Sequence, residues 1–368
     1  MTRTRTLRYA APIIVAATMA AACSSSSSSS SSQGSSAGTS ASAAPTTTVV
    51  KVSGTLNGSG SSFQKAFEDE AIAGFTKVQS GATINYQSKG SGAGQTDLQG
   101  GQTDFAGSDV PAKDADLPKF KGDLLYFPII SGPITVSYKL SGVTSLQLSA
   151  TSLAKIFNRS VKTWDDPAIA ADNPGAKLPT TPITVVHRSD ASGTTANFTA
   201  FLKAADPADW TAGSSSTVPW PTDTQAGNGN AGVAQTVKGT DGAIGYVDFS
   251  DAKAAGLTFA KVKNAGGKYV EATLESAAAA VGNAKVKDNL VYDPINATGD
   301  GSYPITSPTY VITYTKYTDQ AKVALLKAYL GYLLGKDGQD VAKKVDFAPL
   351  PSDLAQKAIA QLDKITVG

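Results

Sequence analysis

The chain has 368 residues, 41% hydrophobic and 17% charged, which is enough apolar material for the cores of two domains. One Cys and one His exclude a disulfide framework within the chain and a Cys/His zinc or haem site, and leave a Ser-His-Asp or Cys-His machine only His187 to use. A formal charge of +2 is too small for a nucleic-acid binder.

In chain order, residues 1–22 read as an export signal: Arg3, Arg5 and Arg8, then a short apolar stretch, then Ala20-Ala21-Ala22. The apolar part is too short and too rich in Ala for a membrane span. Cys23 follows at once and resembles the acylated Cys of a bacterial lipobox, with Ala20 where Leu is usual. An ordinary cleaved signal with a stray Cys is the alternative. Removing residues 1–22 leaves 29 basic against 30 acidic residues, so the mature chain is close to neutral. Residues 24–49 are Ser, Thr, Ala, Gly and Pro, a flexible tether of roughly 28 Å root-mean-square span.

From residue 50, strands and helices alternate, which predicts α/β layers with largely parallel sheets. Residues 50–56 alternate as a strand, and Phe63, Phe67, Ala71, Phe75 and Val78 keep helical spacing. Residues 82–86 and 104–106 are short strands. Residues 124–130 and 134–138 are apolar strands that Gly132-Pro133 is expected to split. Further on, helices are expected near 152–157, 194–204, 274–281, 319–334 and 355–362, and strands near 183–187, 243–249 and 310–314.

Three loops share one design, in which a strand ends, a Gly/Ser turn follows and a helix begins. They are Gly58-Ser59-Gly60-Ser61-Ser62-Phe63, Gly90-Ser91-Gly92-Ala93-Gly94 and Arg188-Ser189-Asp190-Ala191-Ser192-Gly193-Thr194. Free amides and the positive dipole end of a helix, joined by hydroxyl donors, suit an oxyanion. Each loop alone is also ordinary capping chemistry. Arg188 offers a bidentate fork, and Asp190 is placed to hold it. Asp109 ends a strand beside these loops. An ionised Asp only accepts hydrogen bonds, so it favours an anion that keeps a proton, as phosphate does near neutral pH and sulfate does not. It also fits a plain turn or helix cap before Val110-Pro111.

Other residues have bland readings. Gly227-Asn228-Gly229-Asn230-Ala231-Gly232 has no strand expected before it, so it is read as opening a helix rather than holding a dinucleotide. No GxxxxGK[ST] is present. His187 is a packed strand residue, and Trp164, Trp210 and Trp220 are core or lobe-surface aromatics. Arg159 is a solvated helix-end cation, and Glu68, Asp69 and Glu70 form a solvated first-turn charge run.

The whole pattern resembles the phosphate-binding lipoprotein of the high-affinity phosphate ABC transporter, over residues 51–363. The resemblance rests on Ser62-Phe63, Gly90-Ser91, Ser108-Asp109 and above all the complete Arg-x-Asp-x-Ser-Gly-Thr from Arg188 to Thr194. Lys162-Thr163-Trp164-Asp165-Asp166, Gly242-Ala243-Ile244-Gly245-Tyr246 and Pro304-Ile305-Thr306-Ser307 extend it. Ser62 replaces the usual Thr, and Gly92 a second Ser. The resemblance implies an α/β, two-lobed periplasmic-binding-protein fold (type II-like), each lobe a mostly parallel sheet flanked by helices, with two hinge crossings. Lobe 1 would be 50–130 plus 305–368 and lobe 2 131–304. It implies phosphate contacts at Ser62, Phe63 (backbone N–H), Ser91, Asp109, Arg188, Ser192, Gly193 and Thr194, with Asp190 orienting Arg188. It further implies no cofactor, metal or catalysis. The partners would be inorganic phosphate and ABC permease subunits. Cys23 would carry a palmitate-type anchor on the outer face of the cell membrane, and the protein would be a monomer. The rivals are a sulfate or molybdate binder and, less favoured, an exported phosphatase-type hydrolase; the sequence offers that hydrolase no metal-ligand cluster and a His187 poorly placed for Ser192.

Overall fold

A computed structural model describes residues 51–368; the expected signal (1–22), Cys23 and the tether (23–49) lie outside the described residues. The chain first lays down β1 (Ser53–Gly60), α1 (Lys65–Val78), β2 (Gly81–Ser88), α2 (Ser91–Gly100) and β3 (Phe105–Ser108). β1 pairs in parallel with β2 and β3, as the helical crossovers require. β4 (Leu124–Lys139) then leads into the second half.

That half holds β5 (Gln147–Leu148), α3 (Ala150–Phe157), α4 (Pro167–Asp172), β6 (Thr184–Arg188), α5 (Gly193–Ala205), β7 (Gln225–Gly227), α6 (Gly229–Gly239) and β8 (Ala243–Asp248). α7 (Phe249–Ala255), β9 (Thr258–Lys263), β10 (Tyr269–Val270) and α8 (Leu274–Gly282) complete it. The chain returns through β11 (Thr306–Tyr314) and β12 (Lys316–Tyr317) to α9 (Gln320–Leu334), α10 (Lys336–Lys344), α11 (Ser352–Gln361) and β13 (Thr366–Val367).

The main sheet runs β2-β1-β3-β11-β4-β8-β6-β7. Its flanks are parallel (β1 with β2 and β3, β6 with β7 and β8), while β11 and β4 cross its middle antiparallel to each other. The expected break at Gly132-Pro133 is absent. β4 is one strand of 16 residues, buried from Leu125 to Tyr138. It tolerates Pro133 because its partner changes there. β11 pairs with it from Leu124 to Pro133, and β8 from Ile134 to Lys139.

Two charged residues depart from their expected places. Glu68 is fully buried, because it falls with Phe67, Ala71 and Phe75 on the inner face of α1. It accepts a hydrogen bond from Tyr329 Oη, and its Oε1 has no hydrogen-bond partner among the described residues. Burial pushes its carboxyl up to about 7, against the pull of the Tyr329 donor. Asp69 and Glu70 do lie partly or fully in solvent, each paired with a lysine. Arg159 is not solvated either. It follows the C-cap Asn158 of α3 with φ +66°, and its guanidinium turns inward. Nη1 donates to the Ile183 carbonyl at 2.9 Å and Nε meets Asp223 at 3.1 Å, with 12% of the side chain exposed. A left-handed residue at this point redirects the chain and hence the side chain.

Trp164 and Trp210 are buried as expected, Trp164 donating Nε1–H to the Gly242 carbonyl at 3.0 Å. His187 is half-buried on β6, stacked on Trp220 at 4.9 Å with 17° between the rings. Burial pushes its imidazole below the usual range, against the Arg188 carbonyl bonded to Nδ1.

Candidate anion site

The first loop forms where β1 meets α1. Gly60 has φ +144°, and a Cβ there would lie 2.0 Å from the Gly107 carbonyl oxygen, so only glycine lets β1 and β3 approach this closely. Phe63 and Phe67 anchor the helix start in the core, each burial being worth roughly 1.5–3 kcal/mol. Ser61 and Ser62 are thereby held buried at the end of the strand.

Ser91 opens α2, and Asp109 follows β3 with only 2% of its surface exposed. The Asp109 carboxylate is surrounded by hydroxyls. Oδ1 accepts from Ser61 Oγ at 2.6 Å and shares the hydrogen of Thr309 Oγ1, 2.8 Å away, with Gln64 Oε1 at the same distance, and Oδ2 accepts from Ser91 Oγ at 3.3 Å. Its own amide donates to Ser91 Oγ at 3.1 Å, and its carbonyl accepts from Asn197 Nδ2 at 3.0 Å. Burial pushes the carboxyl up to about 6, while the hydroxyl donors and the Arg188 charge pull it back.

The third loop joins β6 to α5. Arg188 is 3% exposed, and its amide donates to Tyr246 Oη at 3.0 Å. Nε donates to Asp190 Oδ1 at 2.8 Å and Nη2 to Asp190 Oδ2, a bidentate pair. Burial raises the Asp190 carboxyl, but the Arg188 hydrogen bonds and charge, with the Gly229 amide, hold it below the ordinary carboxylate range. Nη1 reaches Thr194 Oγ1 at 3.4 Å. Ser192 caps α5, its Oγ accepting from the Thr195 amide at 3.1 Å. The Gly193 and Thr194 amides, first in the helix, have no intrahelical partner.

These loops meet across the junction of the two sheet halves. A Cβ on Gly193 would lie 2.4 Å from Ser91 Oγ and 2.6 Å from Asp109 Oδ2; one on Gly90 would lie 2.3 Å from Asp190 Oδ2. The Gly92 amide donates to the Ala191 carbonyl at 2.9 Å, and Lys113 Nζ to Ser215 Oγ at 3.1 Å. Ser62, Ser91, Asp109, Arg188, Asp190, Gly193 and Thr194 are linked to one another by these contacts or through Asn230. The Phe63 amide is bonded to Ser61 Oγ at 2.9 Å. A cavity of about 590 Å3 lies alongside, lined from both halves by residues including Asp109, Lys113, Asn197 and Ser215.

Several participants were not anticipated. Ser61, Thr309 and Asn197 all attend Asp109, Asn197 also donating to Ser307 Oγ at 2.9 Å. The Gly227–Gly232 stretch does open a helix, but a strand precedes it after all. β7 is only three residues long, and its Pro-rich approach hides it; backbone pairing of Ala226 with His187 makes it a strand. The motif's glycines let Asn230 enter the site. Gly229, at φ +67°, donates its amide to Asp190 Oδ1 at 3.1 Å. Among the described residues, no group of three or more His, Cys, Asp or Glu is placed to hold a metal ion, and no helix is long and apolar enough to cross a membrane.

Residues 32–337 match the family described as a PBP superfamily domain, and the fold is the two-lobed periplasmic-binding-protein fold. The chain is 37% identical over 315 residues to the phosphate-binding protein PstS of Pasteurella multocida, covering 83% of this chain and 89% of that protein. It is 33% identical over 317 residues to phosphate-binding protein PstS 3 of Mycobacterium leprae, covering 82% and 85%. Among solved structures, a phosphate binding protein from Stenotrophomonas maltophilia superposes with a TM-score of 0.64 at 20% identity, over 84% of this chain and 94% of that one. The chain belongs to the PstS family of phosphate-binding proteins.

Proposed function

We propose that this protein captures inorganic phosphate at the junction of its two lobes and delivers it to an ABC permease, making and breaking no covalent bonds. The observation that carries this reading is Asp109, a buried carboxylate set among hydroxyl donors and against the helix start at Gly193. Arg188 and the Gly193 and Thr194 amides attract an anion, hydroxyls of Ser62, Ser192 and Thr194 add donors, and Ser91 joins them by turning its one hydrogen from Asp109 Oδ2, 3.3 Å away, to the anion. The Phe63 amide would serve the anion by sharing its hydrogen with Ser61 Oγ. Asp109 accepts the proton that phosphate retains and repels an anion without one. Asp190 fixes the guanidinium plane.

The lobes are assigned as residues 50–130 with 305–368, and 131–304. The change of strand partner between Pro133 and Ile134 supports a crossing close to the first boundary. Anchorage through an acylated Cys23, facing outside the cytoplasm, and a monomeric state complete the reading. Calorimetric titration tests it. Phosphate is expected to bind and sulfate not, and Asp109→Asn is expected to narrow the difference. Arg188→Ala is expected to cost about 1.5–3 kcal/mol of binding. A wild-type protein that ignores phosphate, or takes sulfate equally well, refutes the assignment.

A further inference from the structure

Asn230 is fully buried at the start of α6 and touches hydroxyls from both sides of the junction. Its Nδ2 donates to Ser62 Oγ at 3.2 Å and to Thr194 Oγ1 at 3.1 Å, using both amide hydrogens. Its backbone amide also donates to Ser62 Oγ, at 3.2 Å. The orientation of the side-chain amide is not ambiguous. Oδ1 faces the Asp248 amide at 3.3 Å, and a backbone N–H is only a donor, so Oδ1 must be the acceptor there.

A hydroxyl oxygen has two lone pairs and one hydrogen. Ser62 Oγ receives two donors from Asn230, so both its lone pairs are taken. Thr194 Oγ1 receives one from Asn230 and one from Arg188 Nη1 at 3.4 Å, so its lone pairs are taken as well. Each hydroxyl is left with a hydrogen to give. Among the described residues neither donates to a protein acceptor.

We propose that Asn230 is a positioning residue that turns the Ser62 and Thr194 hydroxyls into obligate donors toward the bound anion. This rests on the phosphate reading of the site and deepens it. Freely rotating hydroxyls would accept from a ligand O–H as readily as they donate. Held by Asn230, they admit only ligand oxygens without hydrogen at those two positions. The ligand's proton is thereby directed to Asp109, the carboxylate acceptor. Asn230 thus contributes to selection without contacting the anion.

The experiment is a double-mutant cycle on phosphate affinity, by calorimetric titration, combining Asn230→Ala with Thr194→Val and with Ser62→Ala. Asn230→Ala alone is expected to weaken binding about tenfold, and by less than about threefold once its hydroxyl partner is gone. Additive losses overturn the proposal, as does an Asn230→Ala protein that binds like wild type. Asn230→Ser, which keeps a polar group but lacks the two-pronged donor, replaces the alanine if that variant does not fold. The Asn230/Thr194 cycle is also read on thermal unfolding without added anion. Coupling there, with no phosphate binding by wild type, refutes the functional reading and leaves the bridge standing. Phosphate binding with no coupling in either readout refutes the role of Asn230 alone.

Discussion

Asp109 and Glu68 are two buried carboxyls, with β2, α2 and β3 between them in the chain, and they are solvated very differently. Asp109 has three hydroxyl donors on its two oxygens, whereas Glu68 has one phenol and an oxygen with no hydrogen-bond partner among the described residues. Burial lifts both, Asp109 to about 6 and Glu68 to about 7. The comparison separates a charge that the fold is built to keep from one that it is built to lose. A carboxylate ringed by hydroxyls stays an acceptor at neutral pH. One buried with a single phenol donor holds its proton until close to neutrality.

The largest effect expected from this contrast is on Glu68. Its pKa is raised in the folded protein, so the stability gained from its neutral form is complete below the ordinary carboxylate range. It is lost as pH rises through about 7. Glu68→Gln removes that loss. The variant should be more stable than wild type at pH 8, by roughly 3 kcal/mol at most, with the advantage fading toward pH 4. Denaturant unfolding across that range measures it, and phosphate affinity should not change. Asp109→Ala is the counterpart. It should lower phosphate affinity by about 1.5–3 kcal/mol while leaving stability at pH 8 intact or improved, as titration and unfolding of the same sample would show.

Smaller changes adjust the solvation of each acid. Ser61→Ala takes one donor from Asp109 and one acceptor from the Phe63 amide. A loss of about 1 kcal/mol in binding is expected, with the acid limb of the phosphate pH profile moving to higher pH because Asp109 is then easier to protonate. Tyr329→Phe takes from Glu68 its only donor among the described residues. It should cost about 0.5–1.5 kcal/mol, more at pH 8 than at pH 5, since the ionised form loses more. A Tyr329→Phe loss that is flat with pH would mean that Glu68 is not the group responsible.

The sequence shows much of the Asp109 site and little of the Glu68 site. Ser62, Ser91, Asp109 and the run from Arg188 to Thr194 sit at strand ends in Gly/Ser turns, whose local chemistry suits an anion. Thr309, Asn197 and Asn230 reach the same place from elements whose own patterns are ordinary, and only tertiary packing unites them. Glu68 did carry a signal. It shares the spacing of Ala71 and Phe75 on the inner stripe of α1, and its neighbours Asp69 and Glu70 disguised it as part of a surface run. A break in β4 is expected at Gly132-Pro133 because Pro and Gly punctuate strands, yet a proline is harmless where the ladder changes partner.

A solute held between the two halves would meet in β4 a leaf spring rather than a slack cord. The strand is laddered to β11 as far as Pro133 and to β8 from Ile134, with no spare residues between. On the lobe division proposed above, rotation of one half against the other would flex torsions around Gly132-Pro133, where the proline supplies no amide hydrogen to break.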